Sequence, residues 1–133
     1  MLFAENFPAM VKALVLVSPV ISGTLSMQTY PLGFLEHWKT KGFFSWEDDS
    51  KVKKLKWAFI EDARGYDALE KADKLRMPVV IIVGERDDQT PVSHQNILYE
   101  RLCTIKSMHI IKGAGHLFKE KEHLAEINTL LDN

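Results

Sequence analysis

A chain of 133 residues has room for about one domain and can bury roughly two thirds of the surface its unfolded form exposes. Its 17 basic and 18 acidic residues leave a net charge of −1, so bulk charge offers no footprint for nucleic acid or an anionic membrane. Cys103 is the only cysteine, which excludes an internal disulfide and a cysteine-based metal site, and no apolar run approaches the roughly 18 to 20 residues that span a bilayer.

The chain opens on M-L-F-A-E-N-F, which reads as the tail of a helix stopped by Pro8, with no capping residue before its first turn. It is therefore expected to begin inside an element. With no basic region followed by an apolar stretch at the start, the expected setting is the cytoplasm. Residues 12–18, K-A-L-V-L-V-S, form a first strand ended by Pro19, with Ser18 read as a loop hydrogen-bonder.

Residues 19–74 differ in composition and hold most of the aromatics, among them Tyr30, Phe34, Trp38, Phe43, Phe44, Trp46 and Trp57. The segment is expected to be a largely helical lid or insertion within a single domain of residues 1–133. Gly23, Pro31, Gly33 and Gly42 break its first half into short helices and loops. With Asp49 or Ser50 as N-cap, Val52, Leu55, Phe59 and Ala63 recur at helical spacing until Gly65. Asp67 and Glu70 then resemble a capping box for a short helix through Leu75. The aromatics are expected to pack the insertion against its own helices, and secondarily to line space for an apolar group.

The central stretch is M-P-V-V-I-I-V-G-E-R-D-D-Q-T-P. Five apolar residues, 79–83, bounded by Pro78 and Gly84, read as a strand buried on both faces, the kind found in parallel sheets. A helix follows from Thr90-Pro91 or Ser93; with Ser93 as N-cap, Val92 and Ile97 would form a hydrophobic staple. Cys103 is expected on that helix as a small buried apolar side chain. Residues 106–111 give a third strand, and 120–131 a final amphipathic helix with Leu124, Ile127, Leu130 and Leu131 on one face.

Chemistry concentrates at two strand ends. Asp87 follows the second strand and His116 the third, 29 residues later, with one helix between. A right-handed strand-helix-strand unit places these strands side by side and both loops at one edge, where ligands of open α/β sheets bind. An Asp that accepts from the δ nitrogen of His fixes the tautomer and leaves the ε nitrogen free to deprotonate a nucleophile. Gly113 and Gly115 are expected to take positive φ and fold the imidazole back over the sheet edge. Asp88 is the alternative acid. His109, His116 and His123 fall seven apart, but on a strand, a loop and a helix, which does not make a metal site. His37, His94 and Glu85 carry no expected role beyond surface or packing.

At these residues the sequence resembles the α/β-hydrolase superfamily, whose triad runs Ser, Asp or Glu, His along the chain. The acid loop of the family, G-x-x-D-x-x-x-P, is matched by Gly84 through Pro91, and its G-x-G-H loop by Gly113-Ala114-Gly115-His116. Residues 3–19 resemble the helix after the nucleophile and the next strand. The resemblance spans nearly the whole chain and implies the carboxyl-terminal portion of an α/β fold, with Asp87 as orienter and His116 as base and then acid. The nucleophile elbow G-x-S-x-G is absent: none of Ser18, Ser22, Ser26, Ser45, Ser50, Ser93 and Ser107 has glycines at both flanking positions. The expected parent activity is hydrolysis of small apolar carboxylic esters, as in lidded carboxylesterases and lipases, with no metal or organic cofactor and no activity in this chain alone. Amide or peptide cleavage stays open, as do the family's dehalogenases and epoxide hydrolases with an Asp nucleophile. The rival reading is a non-catalytic relative that binds an apolar ligand or forms a homodimer through the exposed edge of its first strand.

Overall fold

The computed structural model describes residues 1–48 and 50–132. In chain order the elements are α1 (Leu2–Asn6), β1 (Leu14–Val17), α2 (Gly23–Ser26), α3 (Phe34–Lys41), β2 (Phe43–Asp48), β3 (Lys51–Lys56), α4 (Ala58–Ala63), β4 (Val79–Gly84), α5 (Val92–Arg101), β5 (Lys106–Ile111) and α6 (Lys121–Leu131). They fall into two compact units: residues 1–21 with the chain from 68 onward, and Ser22–Asp67.

In the first unit the three expected strands form one parallel sheet in the order β1-β4-β5. β5 has the expected bounds and β4 gains Gly84, which pairs with Ile111. β1 ends a residue early because Ser18 leaves the extended region, with φ of +43°. The register sets Val17 beside Ile82 and Gly84 beside Ile111, so the carboxyl ends of neighbouring strands finish at one edge. β4 is the centre. Ile82 packs with Ile111, Phe118 and Ile127, with Leu130 at the margin. Val79, Ile81 and Val83 alternate to the opposite face and are also buried, while α5 packs on β4 and β5. An all-apolar strand is stable here because both faces are out of water.

α5 starts at Val92, with Pro91 as N-cap, so Ser93 lies inside the helix and the expected staple does not form in that register. Cys103 contradicts its expectation: it lies beyond the end of α5 and is exposed. Among the described residues no helix is long and apolar enough to cross a membrane.

The second unit departs from the expected helical insertion. β2 and β3 form an antiparallel hairpin that pairs Phe44 with Leu55 and Trp46 with Lys53. Of the helix expected over 50–65, only α4 is present. Ser50 caps nothing; it sits in the hairpin turn with φ of +59°. Asp49, the other expected N-cap, lies outside the described residues. The helical pattern rested on four apolar positions, whereas F-F-S-W and K-V-K-K-L-K form a strand pair in which Phe44 meets Leu55 across the ladder. Trp38 of α3 is buried beneath that pair, its ring 5.6 Å from Phe44 and 6.1 Å from Trp57, and its Nε1 donates to the Leu55 carbonyl at 3.1 Å. Asp67 caps no helix either. It bridges to Ser22, and residues 68–75 form turns and a 3-10 turn at Ala72–Lys74 instead of a helix.

Candidate active site

Two loops build the site, and their backbones bind each other first. Glu85 N–H donates to the Ile111 carbonyl at 3.0 Å, and Arg86 N–H to the Ala114 carbonyl at 2.8 Å. Gly84 makes this approach possible, since a Cβ there would lie 2.4 Å from the Ala114 oxygen and 2.8 Å from that of Gly115. The Glu85 carboxylate accepts from Gly113 N–H at 2.8 Å and so pins the second loop, a role its sequence context did not signal. Gly113 adopts positive φ, +72°, as expected. Gly115 does not. The left-handed residue near the end of this loop is Phe118, at φ +46°, and a Cβ on Gly115 would meet only an ordinary contact.

These loops bring Asp87 and His116 together. His116 Nδ1 lies 3.0 Å from Asp87 Oδ2 and 3.2 Å from Oδ1. The Asp87 side chain is fully buried, whereas that of His116 is 25% exposed. Asp88 is exposed and stands outside this pairing.

The carboxylate is saturated with donors. Oδ1 accepts from the backbone N–H groups of Gln89 and Thr90 at 3.0 and 2.8 Å. Oδ2 accepts from Ser18 Oγ at 2.7 Å and Thr90 Oγ1 at 2.9 Å. Burial by itself pushes this carboxyl up. The hydrogen bonds from the Thr90 backbone, Ser18, His116 and the Thr90 hydroxyl outweigh it and hold the pKa down at about 2. Asp87 is therefore a fixed anion at neutral pH. With Nδ1 committed to that anion, Nε2 is the ring nitrogen left for an outside partner.

Ser18 and Thr90 were not singled out from the sequence as part of this cluster. The usable signal was positional: Ser18 ends the strand next to β4, so its side chain belongs to the same sheet edge as Asp87. Its hydroxyl proton is turned toward Asp87, not toward the imidazole. A cavity of about 340 Å³ opens beside His116, lined in part by Arg86, Gln89, Phe118 and His123. His109 lies on β5 against Ser107, and among the described residues no three His, Cys, Asp or Glu side chains converge as metal ligands.

No protein-family model matches the chain, and neither does any curated protein sequence. Solved structures do match. Alpha/beta hydrolase domain-containing protein 10 from mouse superposes with a TM-score of 0.71 at 20% identity, over 98% of this chain and 56% of that one. The monoacylglycerol lipase of Paleococcus ferrophilus gives 0.65 at 22% identity, over 98% and 62%. Est1E from Butyrivibrio proteoclasticus, with ferulic acid bound, gives 0.72 at 19% identity, over 97% and 52%. The chain thus spans between about half and three fifths of the length of these proteins, and its fold is part of theirs.

Proposed function

From that shared α/β-hydrolase fold, we propose that this chain carries the acid and base of a serine hydrolase site. His116 is the general base, Asp87 its orienting carboxylate, and the nucleophile is a serine on a strand-to-helix elbow outside this sequence. One observation carries the reading: a buried carboxylate held 3.0 Å from Nδ1 of a partly exposed imidazole, at the carboxyl ends of adjacent parallel strands.

The chemistry follows from the geometry. Nε2 accepts the serine hydroxyl proton as the oxygen attacks an ester carbonyl, and the imidazolium so formed is stabilised by Asp87, which stays ionised. The same proton then passes from Nε2 to the departing alkoxide, leaving an acyl-serine. Water then attacks the acyl carbon as Nε2 takes its proton, and the imidazolium returns that proton to the serine oxygen as the carboxylic acid leaves. The substrate class is small apolar carboxylic esters, supported by the esterases and lipases among the structural neighbours. A cytoplasmic setting belongs to the same proposal.

The chain alone should be catalytically silent, since in subtilisin loss of the serine by itself lowers kcat on the order of a million-fold. Hydrolysis of a chromogenic short-chain ester, with a matching anilide in parallel, is the test. Activity is expected only in a form extended upstream through a G-x-S-x-G elbow, and it should be abolished there by His116→Ala. Turnover by the 133-residue chain itself, or an extended form indifferent to His116→Ala, would overturn the proposal. Anilide cleavage exceeding ester cleavage would move the substrate class to amides.

A second reading rests on the bare side of the sheet. Among the described residues β1 pairs only with β4, and Val15 and Val17 remain 47% and 45% exposed. We infer that this edge pairs with another polypeptide, in the simplest case a second copy of the chain.

A further inference from the structure

We propose that Ser18 and Thr90 are positioning residues for the Asp87–His116 pair, two hydroxyls that lock the carboxylate in the orientation from which it holds the Nδ1 proton. The inference rests on the hydrolase reading of that pair and adds residues to it.

A carboxylate can swing about the bond joining it to its side chain unless both oxygens are held. Here Oδ1 is held by two backbone N–H groups of its own loop, at 3.0 and 2.8 Å. Among the described residues Oδ2 meets no backbone donor and depends on Ser18 Oγ, Thr90 Oγ1 and the imidazole. Ser18 reaches it from 69 positions earlier in the chain, so this bond ties the carboxyl end of β1 to the acid loop. Gln95, completely buried on α5, clamps the same two segments through their backbones. Its Nε2 donates to the Pro19 carbonyl at 3.0 Å and to the Thr90 carbonyl at 3.3 Å. Ser18 itself is held at a positive φ, with its N–H bonded to the Ile82 carbonyl at 2.8 Å. A non-glycine residue keeps such a backbone only where its surroundings over-determine it.

Thr90 supports the tautomer that Asp87 sets. Its hydroxyl has one proton and three neighbours: Asp87 Oδ2 at 2.9 Å, the Ser18 carbonyl at 3.3 Å and His116 Nδ1 at 3.3 Å. The carboxylate is the nearest of the three and the only charged acceptor, so the proton goes to it. Oγ1 therefore meets Nδ1 only as an acceptor. Nδ1 must carry hydrogen, and Nε2 keeps its lone pair for the nucleophile. Asp87 imposes this tautomer, and Thr90, whose proton Asp87 takes, turns its lone pairs to favour the same one before any substrate arrives.

Nuclear magnetic resonance on the 133-residue chain tests this without turnover. The Asp87 Cγ signal reports the titration of the carboxyl, and the His116 ring nitrogens report the tautomer. Ser18→Ala and Thr90→Val should each raise the Asp87 midpoint from about 2 by about one pH unit, the size expected for one lost bond to a charged acceptor. Thr90→Ser, which restores the hydroxyl, should return the midpoint to native. Ser18→Gly removes the hydroxyl while suiting the positive φ, and replaces the alanine variant if that one fails to fold. Asp87→Asn separates the two levels of argument. If it leaves the tautomer untouched, the acid-base pair is wrong. If it shifts the tautomer while the hydroxyl variants keep native midpoints, the positioning inference fails and the pair stands.

Discussion

Asp87 carries a stability consequence as well as a chemical one. A carboxyl whose folded pKa lies below its unfolded value stabilises the native state above the unfolded pKa, and that contribution is lost as pH falls through the folded value. The shift from 3.8 to about 2 corresponds to about 2 kcal/mol, fully present above about pH 5 and lost progressively down to about pH 1. Urea midpoints measured at pH 6 and pH 2.5 should therefore fall further for the native chain than for Asp87→Asn. Parallel losses in the two proteins would show that the carboxylate contributes nothing specific. The same residue shows how far local pattern reaches: G-x-x-D-x-x-x-P marks Asp87, but one of its donors, Ser18, comes from a strand end 69 positions away that no local pattern indicates.

At the scale of elements, the sheet edge is assembled by the meeting of two loops, and Gly84 is the point of closest approach. Adding one methyl there places a carbon 2.4 Å from the Ala114 oxygen, inside any tolerable contact. Gly84→Ala should cost about 1 to 3 kcal/mol in thermal unfolding and should lengthen the Asp87–His116 bond, since the displaced atoms lead directly into His116. A native melting point together with a native His116 tautomer would contradict this. Elements were legible where periodicity coincided with burial. β4 is all apolar because both faces are covered, and β5 and α6 follow their patterns within a residue. The hairpin was not legible. Val52, Leu55, Phe59 and Ala63 share a helical spacing by coincidence, whereas the partners that stabilise Lys51–Lys56 as a strand lie on β2.

For the molecule as a whole, the open side of β1 is the feature most exposed to consequence. An uncovered strand with Val15 and Val17 in solvent, close in sequence to exposed Phe3, Phe7 and Met10, is a template for pairing with another chain. Sedimentation or light scattering should show self-association that increases with concentration, and Val15→Lys with Val17→Lys should suppress it by placing charge on the strand. A strictly monomeric native chain at high concentration would remove the pairing proposal without touching the acid-base site. The mixed surface charge, −1 in all, offers little opposing repulsion.

The three parallel strands, the adjacency of the second and third, the loops that carry Asp87 and His116, and the helices that follow each were determined by the sequence alone. Each of these depends on patterns within a few turns of chain, and the right-handed crossover rule then leaves little choice of topology. Tertiary structure alone decided the β2–β3 hairpin, the exposure of Cys103, the grip of Glu85 on Gly113, and the Ser18–Thr90–Gln95 cluster around the acid. These depend on which distant groups arrive within hydrogen-bonding reach. A one-dimensional pattern names the donors and acceptors, and only the folded chain sets the distance between them.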